Sequence, residues 1–215
     1  MPQDSVGSDE PCIACDPSGG TIICFSHLRW DFVFQRPQHL MVRFARSMRV
    51  LFWEEPVGTD QPSASLQLRE AAPGVTVVTP MVPHQLSGEA RNAALKDLLD
   101  GLLGFAPAHL VRWYYTPMML PFSAHLKAKC TVYDCMDELA NFRFAPPELM
   151  SLEQELFAAS DLVFTGGYSL YEAKRAQHPS VYPFPSSVDV AHFAAARAGK
   201  ADPGIGALPR PCPGF

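Results

Sequence analysis

The sequence predicts an α/β fold whose doubly wound, mostly parallel sheet contains about seven strands. Short apolar runs recur along the chain, and Thr21–Phe25 is a continuous one, as expected for a strand buried on both faces. Amphipathic segments alternate with these runs, and 36–48 places its apolar side chains on one helical face. The 215 residues suit one large domain, and an apolar fraction of 47% excludes disorder of the whole chain.

Each predicted strand is a short apolar run. The predicted strands cover residues 21–25, 50–53, 75–79, 110–115, 131–133, 162–165 and 181–184. The predicted helices are 36–48, a leucine-rich segment around 95–103, a short segment near 118–126, a segment opened by Pro146 and Pro147, and 169–176. Pro37 fits the first turn of its helix, where the missing amide hydrogen is not needed. The residues between 53 and 75 contain Pro, Ser and Gly and are predicted as a loop.

Composition divides the chain into three regions. Residues 1–20 are acidic and polar, which predicts a disordered tail and excludes a secretory signal. Residues 21–197 carry the alternating elements of the domain. Residues 198–215 are rich in Gly, Pro and Ala, which is typical of a linker, and are predicted to lead into a C-terminal domain that is missing here.

Charge and hydropathy restrict the partners and the location. The net charge is −5 and no basic block occurs, so nucleic acid is not an expected partner. No run of about eighteen apolar residues is found, which argues against a transmembrane helix. We expect a cytoplasmic protein, and peripheral contact with the inner face of a membrane stays open.

The six cysteines are interpreted as unpaired. Cys12 and Cys15 form a C-x-x-C motif, which occurs in zinc sites and redox pairs, but no second pair or histidine pair follows at the required spacing. Cys24, Cys130 and Cys135 lie in or beside apolar strands, where free cysteine acts as a small buried hydrophobe. We therefore predict no metal and no structural disulfide.

Parallel sheets of this type bind ligands beyond the carboxyl ends of their strands. The first polar loop at such an end is 26–39. Within it, Arg29 and Arg36 are candidates to bind an anion, Trp30 to stack on a ligand, His27 to transfer a proton, and Gln38 to contact substrate. In the alternative interpretation, Trp30 and the loop phenylalanines are core aromatics and the arginines are surface charges.

Two further candidate sites follow later strands. In 133–138, Asp134 and Asp137 are candidate general bases and Glu138 is a candidate for binding hydroxyl groups of a substrate, although acids also cap helices. In 165–171, Gly166, Gly167 and Ser169 are candidate ligand contacts, whereas the alternative is a tight turn with Ser169 as helix N-cap.

A nicotinamide-dependent enzyme is rejected. Glu54 and Glu55 follow the second strand, where a dinucleotide-binding fold carries a ribose-binding acid. However, no G-x-G-x-x-G motif follows the first strand.

Three segments carry a resemblance to a known family. The segment 185–193, P-S-S-V-D-V-A-H-F, resembles the P-N-G-V-D-x-x-x-F turn of family 4-like glycosyltransferases, with Ser186 and Ser187 in place of Asn and Gly. The Q-R-P-Q and Y-D-C-M-D-E segments are similar to those of a bacterial subgroup related to teichuronic and exopolysaccharide assembly enzymes. The resemblance covers about 21–193 and implies the N-terminal, Rossmann-like half of a GT-B fold.

The resemblance implies sugar transfer from a nucleotide sugar to a cell-surface glycan or lipid-linked acceptor. No cofactor is implied, because the nucleotide sugar is the donor substrate. Asp189, in the family-like turn, is expected to contact substrate, and the nucleotide is expected to bind the missing C-terminal domain, leaving this fragment inactive by itself. Two alternatives remain: a non-catalytic acceptor-binding or regulatory module, and a mutase-type component acting on sugar nucleotides.

Overall fold

The computed structural model describes residues 20–104, 107 and 109–194. Its strands are β1 Thr21–Phe25, β2 Arg49–Trp53, β3 Val57–Thr59, β4 Ser65–Ala72, β5 Val75–Pro83, β6 Leu110–Tyr114, β7 Cys130–Cys135, β8 Leu162–Thr165 and β9 Val181–Pro183. Among the described residues they form one sheet in the order β3-β5-β2-β1-β6-β7-β8-β9, with β4 paired to β5. Only the β4–β5 pair is antiparallel, so the predicted mostly parallel α/β fold is confirmed.

The predicted loop between β2 and β5 contains the two strands that the sequence did not reveal. β3 pairs with the last residues of β5, and β4 runs antiparallel along the same strand. Most side chains of β4 are exposed. A strand with little apolar burial carries no apolar run, which explains why its sequence resembled a loop.

The helices are α1 Arg36–Phe44, α2 Gly88–Leu103, α3 Leu120–Ser123, α4 Leu149–Ala159, α5 Tyr168–Lys174 and α6 Val190–Ala194, with short 3₁₀ turns at Pro117–Met119 and Leu139–Asn141. α1 ends four residues before its predicted end at Met48. Helices cover both faces of the sheet, with Met41 of α1 in one core and Leu99 of α2 and Leu156 of α4 in the other.

The strand order reverses at β1. The chain moves from β1 to β2 on one side, whereas β6 pairs with β1 on the other. The loops after β1 and β6 therefore diverge and leave a crevice at the carboxyl edge of the sheet. A ligand site is therefore expected at this edge.

The chain divides into two units, one ending at Pro185 and one beginning at Ser186. The predicted tail up to residue 19, with Cys12 and Cys15, and the predicted linker 198–215 lie outside the described residues. Cys24, Cys130 and Cys135 are free thiols. Within the described ranges, no helix is long and apolar enough to cross a bilayer, and no cluster of three or more His, Cys, Asp or Glu side chains could hold a metal ion.

Candidate functional site

Glu54, the residue after β2, anchors the loop that follows β1. Its buried carboxylate accepts hydrogen bonds from the Trp30 backbone N–H at 2.7 Å and from Arg29 Nη1 and Thr79 Oγ1, both at 3.0 Å. Glu54 is therefore engaged within the protein, at the position where a dinucleotide-binding fold places its ribose-binding acid.

Gln38 closes the same loop from inside, because its side chain is fully buried. Its amide nitrogen donates to the carbonyl oxygens of Trp30 at 2.9 Å and Val33 at 2.8 Å, and its Oε1 accepts from the Gln35 N–H at 3.1 Å. Both polar atoms of the side chain are engaged. The structure thus places Gln38 in the framework of the loop rather than on a ligand-facing surface.

Trp30 belongs to the core, as in the alternative interpretation of this loop. The residue is 6% exposed, and its ring meets Phe52 edge to face with the ring centroids 5.0 Å apart. A ring held in this way presents no face on which a sugar could stack. Phe32 and Phe34 do not share this burial, since they are 76% and 56% exposed.

Arg36 and Asp134 form an ion pair at the carboxyl edge. Arg36 Nε lies 3.1 and 3.0 Å from the two carboxylate oxygens, and Nη2 lies 2.9 Å from Oδ1. Nη1 donates to the carbonyl oxygen of Phe184, so the guanidinium ties the start of α1 to the ends of β7 and β9. Asp134 is completely buried, which leaves its carboxylate unable to reach a substrate as a base.

The pKa of Asp134 reflects two opposed effects. Burial raises the pKa of this carboxyl, and the hydrogen bonds and positive charge of Arg36 lower it, with burial prevailing. The pair therefore has a structural role: it fixes the loops around the crevice. Arg36 correspondingly has no free face for a phosphate or carboxylate of a ligand.

Glu138 is bound into a second buried network. Lys174 Nζ of α5 lies 2.7 Å from Glu138 Oε1 and 2.8 Å from Glu153 Oε2, and the Tyr133 hydroxyl donates to Glu153 at 2.8 Å. Burial lowers the pKa of Lys174, but the two carboxylate hydrogen bonds outweigh it and the net pKa is raised. The charged ammonium group thus ties the loop after β7 to α5.

A pocket of about 450 Å³ opens between the loop after β7 and the start of α5, and we call it the β7–β8 pocket. Predicted residues from two distant segments line it: Asp137, Glu138, Gly166, Gly167 and Ser169. Asp137 and Ser169 are exposed, so their carboxylate and hydroxyl groups are open to a ligand. Residues of the second and third predicted segments therefore line one pocket.

Two further lining residues, Asn141 and Tyr168, were not singled out from the sequence. Tyr168 is 68% exposed. An exposed aromatic ring beside carboxylate, amide and hydroxyl groups suits a sugar, whose faces are apolar and whose rim carries hydroxyls. The position of Tyr168, directly after Gly-Gly at a strand-to-helix turn, was a usable signal. Asn141 had none, because it ends a 3₁₀ turn of only three residues, too short to show a periodic pattern.

The two glycines have different roles. A Cβ at Gly166 would lie 2.6 Å from the carbonyl oxygen of Met136, so any side chain there would force the two loops of the pocket apart. A Cβ at Gly167 would meet nothing within 4 Å. Gly167 is the N-cap of α5 with extended backbone, and Ser169 is not the cap. Only Gly166 is required by close backbone approach.

His27 lies at the point where the strand order reverses. It follows β1, and Tyr115, which follows β6, bonds back to β1 through its N–H to the Phe25 carbonyl at 2.9 Å. Burial lowers the pKa of His27, and Asp137 and a hydrogen bond with the Tyr115 backbone oppose this. The imidazole is therefore neutral near pH 7 and can accept a proton.

Asp189, the remaining predicted contact, lies in the second unit. Its carbonyl oxygen accepts a hydrogen bond from the Phe193 N–H at 3.0 Å, at the start of α6.

Arg29 is more exposed than Arg36, the other arginine of the loop after β1. The side chain of Arg29 is 38% exposed although it pairs with Glu54, whereas that of Arg36 is 9% exposed. The predicted site residues that solvent can reach thus include His27, Arg29 and those that line the β7–β8 pocket.

No protein-family model and no curated protein matches the sequence. Solved structures do match, beginning with the trehalose-6-phosphate protein of E. coli bound with UDP-2-fluoro glucose. That match has a TM-score of 0.56 at 14% identity and covers 86% of this chain and 53% of the other. The fold is one half of a GT-B fold.

Two more structures agree. Sucrose-phosphate synthase from Thermosynechococcus elongatus has a TM-score of 0.55 at 11% identity, covering 83% of this chain and 52% of that one. The α,α-trehalose-phosphate synthase (UDP-forming) from Burkholderia xenovorans, in complex with glucose-6-phosphate, has a TM-score of 0.53 at 14% identity, covering 84% and 52%. The chain thus spans about half the length of these neighbours.

Proposed function

We propose that this chain is the acceptor-side half of a glycosyltransferase that uses a nucleotide sugar as donor. The supporting observation is the half GT-B fold, since the neighbours that share it include sucrose-phosphate and trehalose-phosphate synthases. The donor would bind the other half of a GT-B fold. The family 4-like resemblance of 185–193 favours a cell-surface glycan or lipid-linked acceptor, in the cytoplasm or at the inner face of a membrane.

The chemistry assigned to this half is acceptor binding and proton handling. In the β7–β8 pocket, Asp137, Asn141 and Ser169 would hydrogen-bond sugar hydroxyls while the ring of Tyr168 covers one sugar face. His27, neutral near pH 7, would accept a proton from an attacking hydroxyl if a base is needed. A retaining reaction, which the family 4-like turn implies, does not require a protein base.

Transfer activity tests the proposal directly. The polypeptide that carries this sequence in its source is purified and assayed for transfer from labelled uridine and guanosine diphosphate sugars to a panel of sugars, sugar phosphates and alkyl glycosides. We expect transfer with at least one pair, and Asp137→Ala should lower turnover by about tenfold or more because it removes a charged hydrogen-bond partner.

The matched control is Asp97→Ala, which removes an exposed carboxylate on α2 outside the pocket. Both variants should retain the melting temperature, since both side chains are exposed. No transfer with any donor and acceptor, together with sugar binding in the β7–β8 pocket, would instead indicate a non-catalytic acceptor-binding module.

Nucleotide-sugar binding by this chain alone is a second test. We expect dissociation constants in the millimolar range or weaker for UDP-glucose and GDP-mannose in isothermal titration, because the proposed donor site belongs to the other half. Micromolar binding would contradict the assignment of this half to the acceptor.

A further inference from the structure

A second pocket opens at the same edge of the sheet, and we call it the α2–α4 pocket. It has a volume of about 600 Å³ and lies between the loop after β2, the start of α2, the segment around α3 and the start of α4. This volume is within the range of small-molecule sites. Glu55 and Pro56 lie just after β2, and Met118 lies shortly after β6, which places the pocket at the carboxyl edge expected to bind ligands.

The floor of the pocket is apolar. Buried or half-buried side chains from four elements form it: Leu95, Met118, Met119, Phe122 and Leu152. Two of them are methionines, whose flexible thioethers adapt to ligands of irregular shape. Removing these side chains from water favours binding only when a ligand covers them with apolar atoms.

The rim is polar. Glu55, Arg91, Asn92 and Glu148 line it, and their side-chain head groups make no hydrogen bond or ion pair with any described residue. Burial raises the pKa of Glu55, while the positive charges of Arg29 and Arg91 oppose this rise. Carboxylates, an amide and a guanidinium together can bind several hydroxyl groups as acceptors and donors.

We propose that the α2–α4 pocket is a second acceptor subsite, in addition to the sugar subsite of the β7–β8 pocket. The acceptor is then an amphiphile with a hydroxylated group at the rim of the α2–α4 pocket and an apolar chain on its floor. This inference rests on the proposed function and names its substrate class. A free sugar would leave the floor in contact with water, and a purely apolar ligand would desolvate Arg91 and Glu55 without partners. A hydroxylated head on an apolar chain satisfies both regions.

The test compares two glucosides that differ only in the aglycone. Binding of octyl β-D-glucopyranoside and methyl β-D-glucopyranoside to this chain is measured by titration calorimetry and amide chemical shifts, with the octyl glucoside below its critical micelle concentration. We expect the octyl glucoside to bind at least about tenfold more tightly, because several methylene groups leave water. Its shift changes should map to the start of α2 and the segment around Met118.

Three variants separate the rim from the floor. Arg91→Ala should weaken both glucosides by about tenfold, since it removes a charged donor from the head group. Met118→Gln should weaken only the octyl glucoside, because it makes the floor polar at nearly constant size. Arg46→Ala, an exposed arginine just after α1 on the other side of the sheet, should change neither affinity.

Equal affinities for the two glucosides, no binding of either, or an equal loss from Arg46→Ala would overturn the amphiphile inference. None of these outcomes depends on sugar transfer. Transfer to a free sugar without octyl glucoside binding would sink this inference and leave the proposed function standing. Octyl glucoside binding without any transfer would do the reverse.

Discussion

Arg36→Met should lower the free energy of unfolding by about 3–5 kcal/mol at pH 7, because it leaves a buried carboxylate without its counterion. Asp134 is completely buried, and all its ion-pair contacts with Arg36 are shorter than 3.2 Å. Arg36→Met is preferable to Arg36→Ala, because methionine removes the charge but keeps most of the side-chain volume. Denaturant unfolding at fixed temperature measures the change.

The pH dependence identifies the cause. Burial already raises the pKa of Asp134 above its ordinary value, and removal of Arg36 takes away the group that opposes this. When an acid has a higher pKa in the folded than in the unfolded state, its protonation favours the folded state. The free energy of unfolding therefore rises as the pH falls from the folded to the unfolded pKa. The deficit of Arg36→Met should therefore shrink on acidification from neutral pH down through the folded pKa of Asp134.

Two controls make this result specific. Arg36→Met combined with Asp134→Asn should recover part of the stability, since no buried charge remains. Arg175→Met breaks an exposed ion pair with Glu172 and should change stability by less than about 0.5 kcal/mol. A deficit that Asp134→Asn leaves unchanged would mean that the ion pair is not what holds these loops.

Trp30→Ala should lower the free energy of unfolding by about 3–5 kcal/mol, the range for deleting a large buried aromatic side chain. Trp30 packs against Phe52 of β2, so its loss leaves a cavity between the loop and the sheet. Melting temperature and transfer activity are measured on the same preparations. The active fraction should fall only in proportion to the folded fraction.

Phe32→Ala is the matched control from the same loop. Its ring is 76% exposed, so truncation should leave stability within about 0.5 kcal/mol. If Trp30→Ala kept its melting temperature and lost acceptor binding instead, the ring would face a ligand, and the buried position described for it would be wrong.

The architecture could be predicted from the sequence because each buried strand appears as a run of apolar residues in its own segment. All seven predicted strands are present, since each is an apolar run long enough to be read without knowledge of its neighbours. β4 was not predicted because most of its side chains are exposed, so its segment contains no apolar run. The carboxyl-edge rule then selected the loops that do form the edge, including both walls of the β7–β8 pocket.

The sequence by itself thus determined the fold class, the strand segments and the edge at which polar groups gather. Only the tertiary structure decided which of those groups remain open to a ligand. Arg36 and Asp134 are 98 residues apart, and Lys174 reaches Glu138 across 36, so no local pattern shows that they neutralise each other. Burial and pairing depend on what the folded sheet brings within about 3 Å, and that distance is set by packing rather than by spacing along the chain.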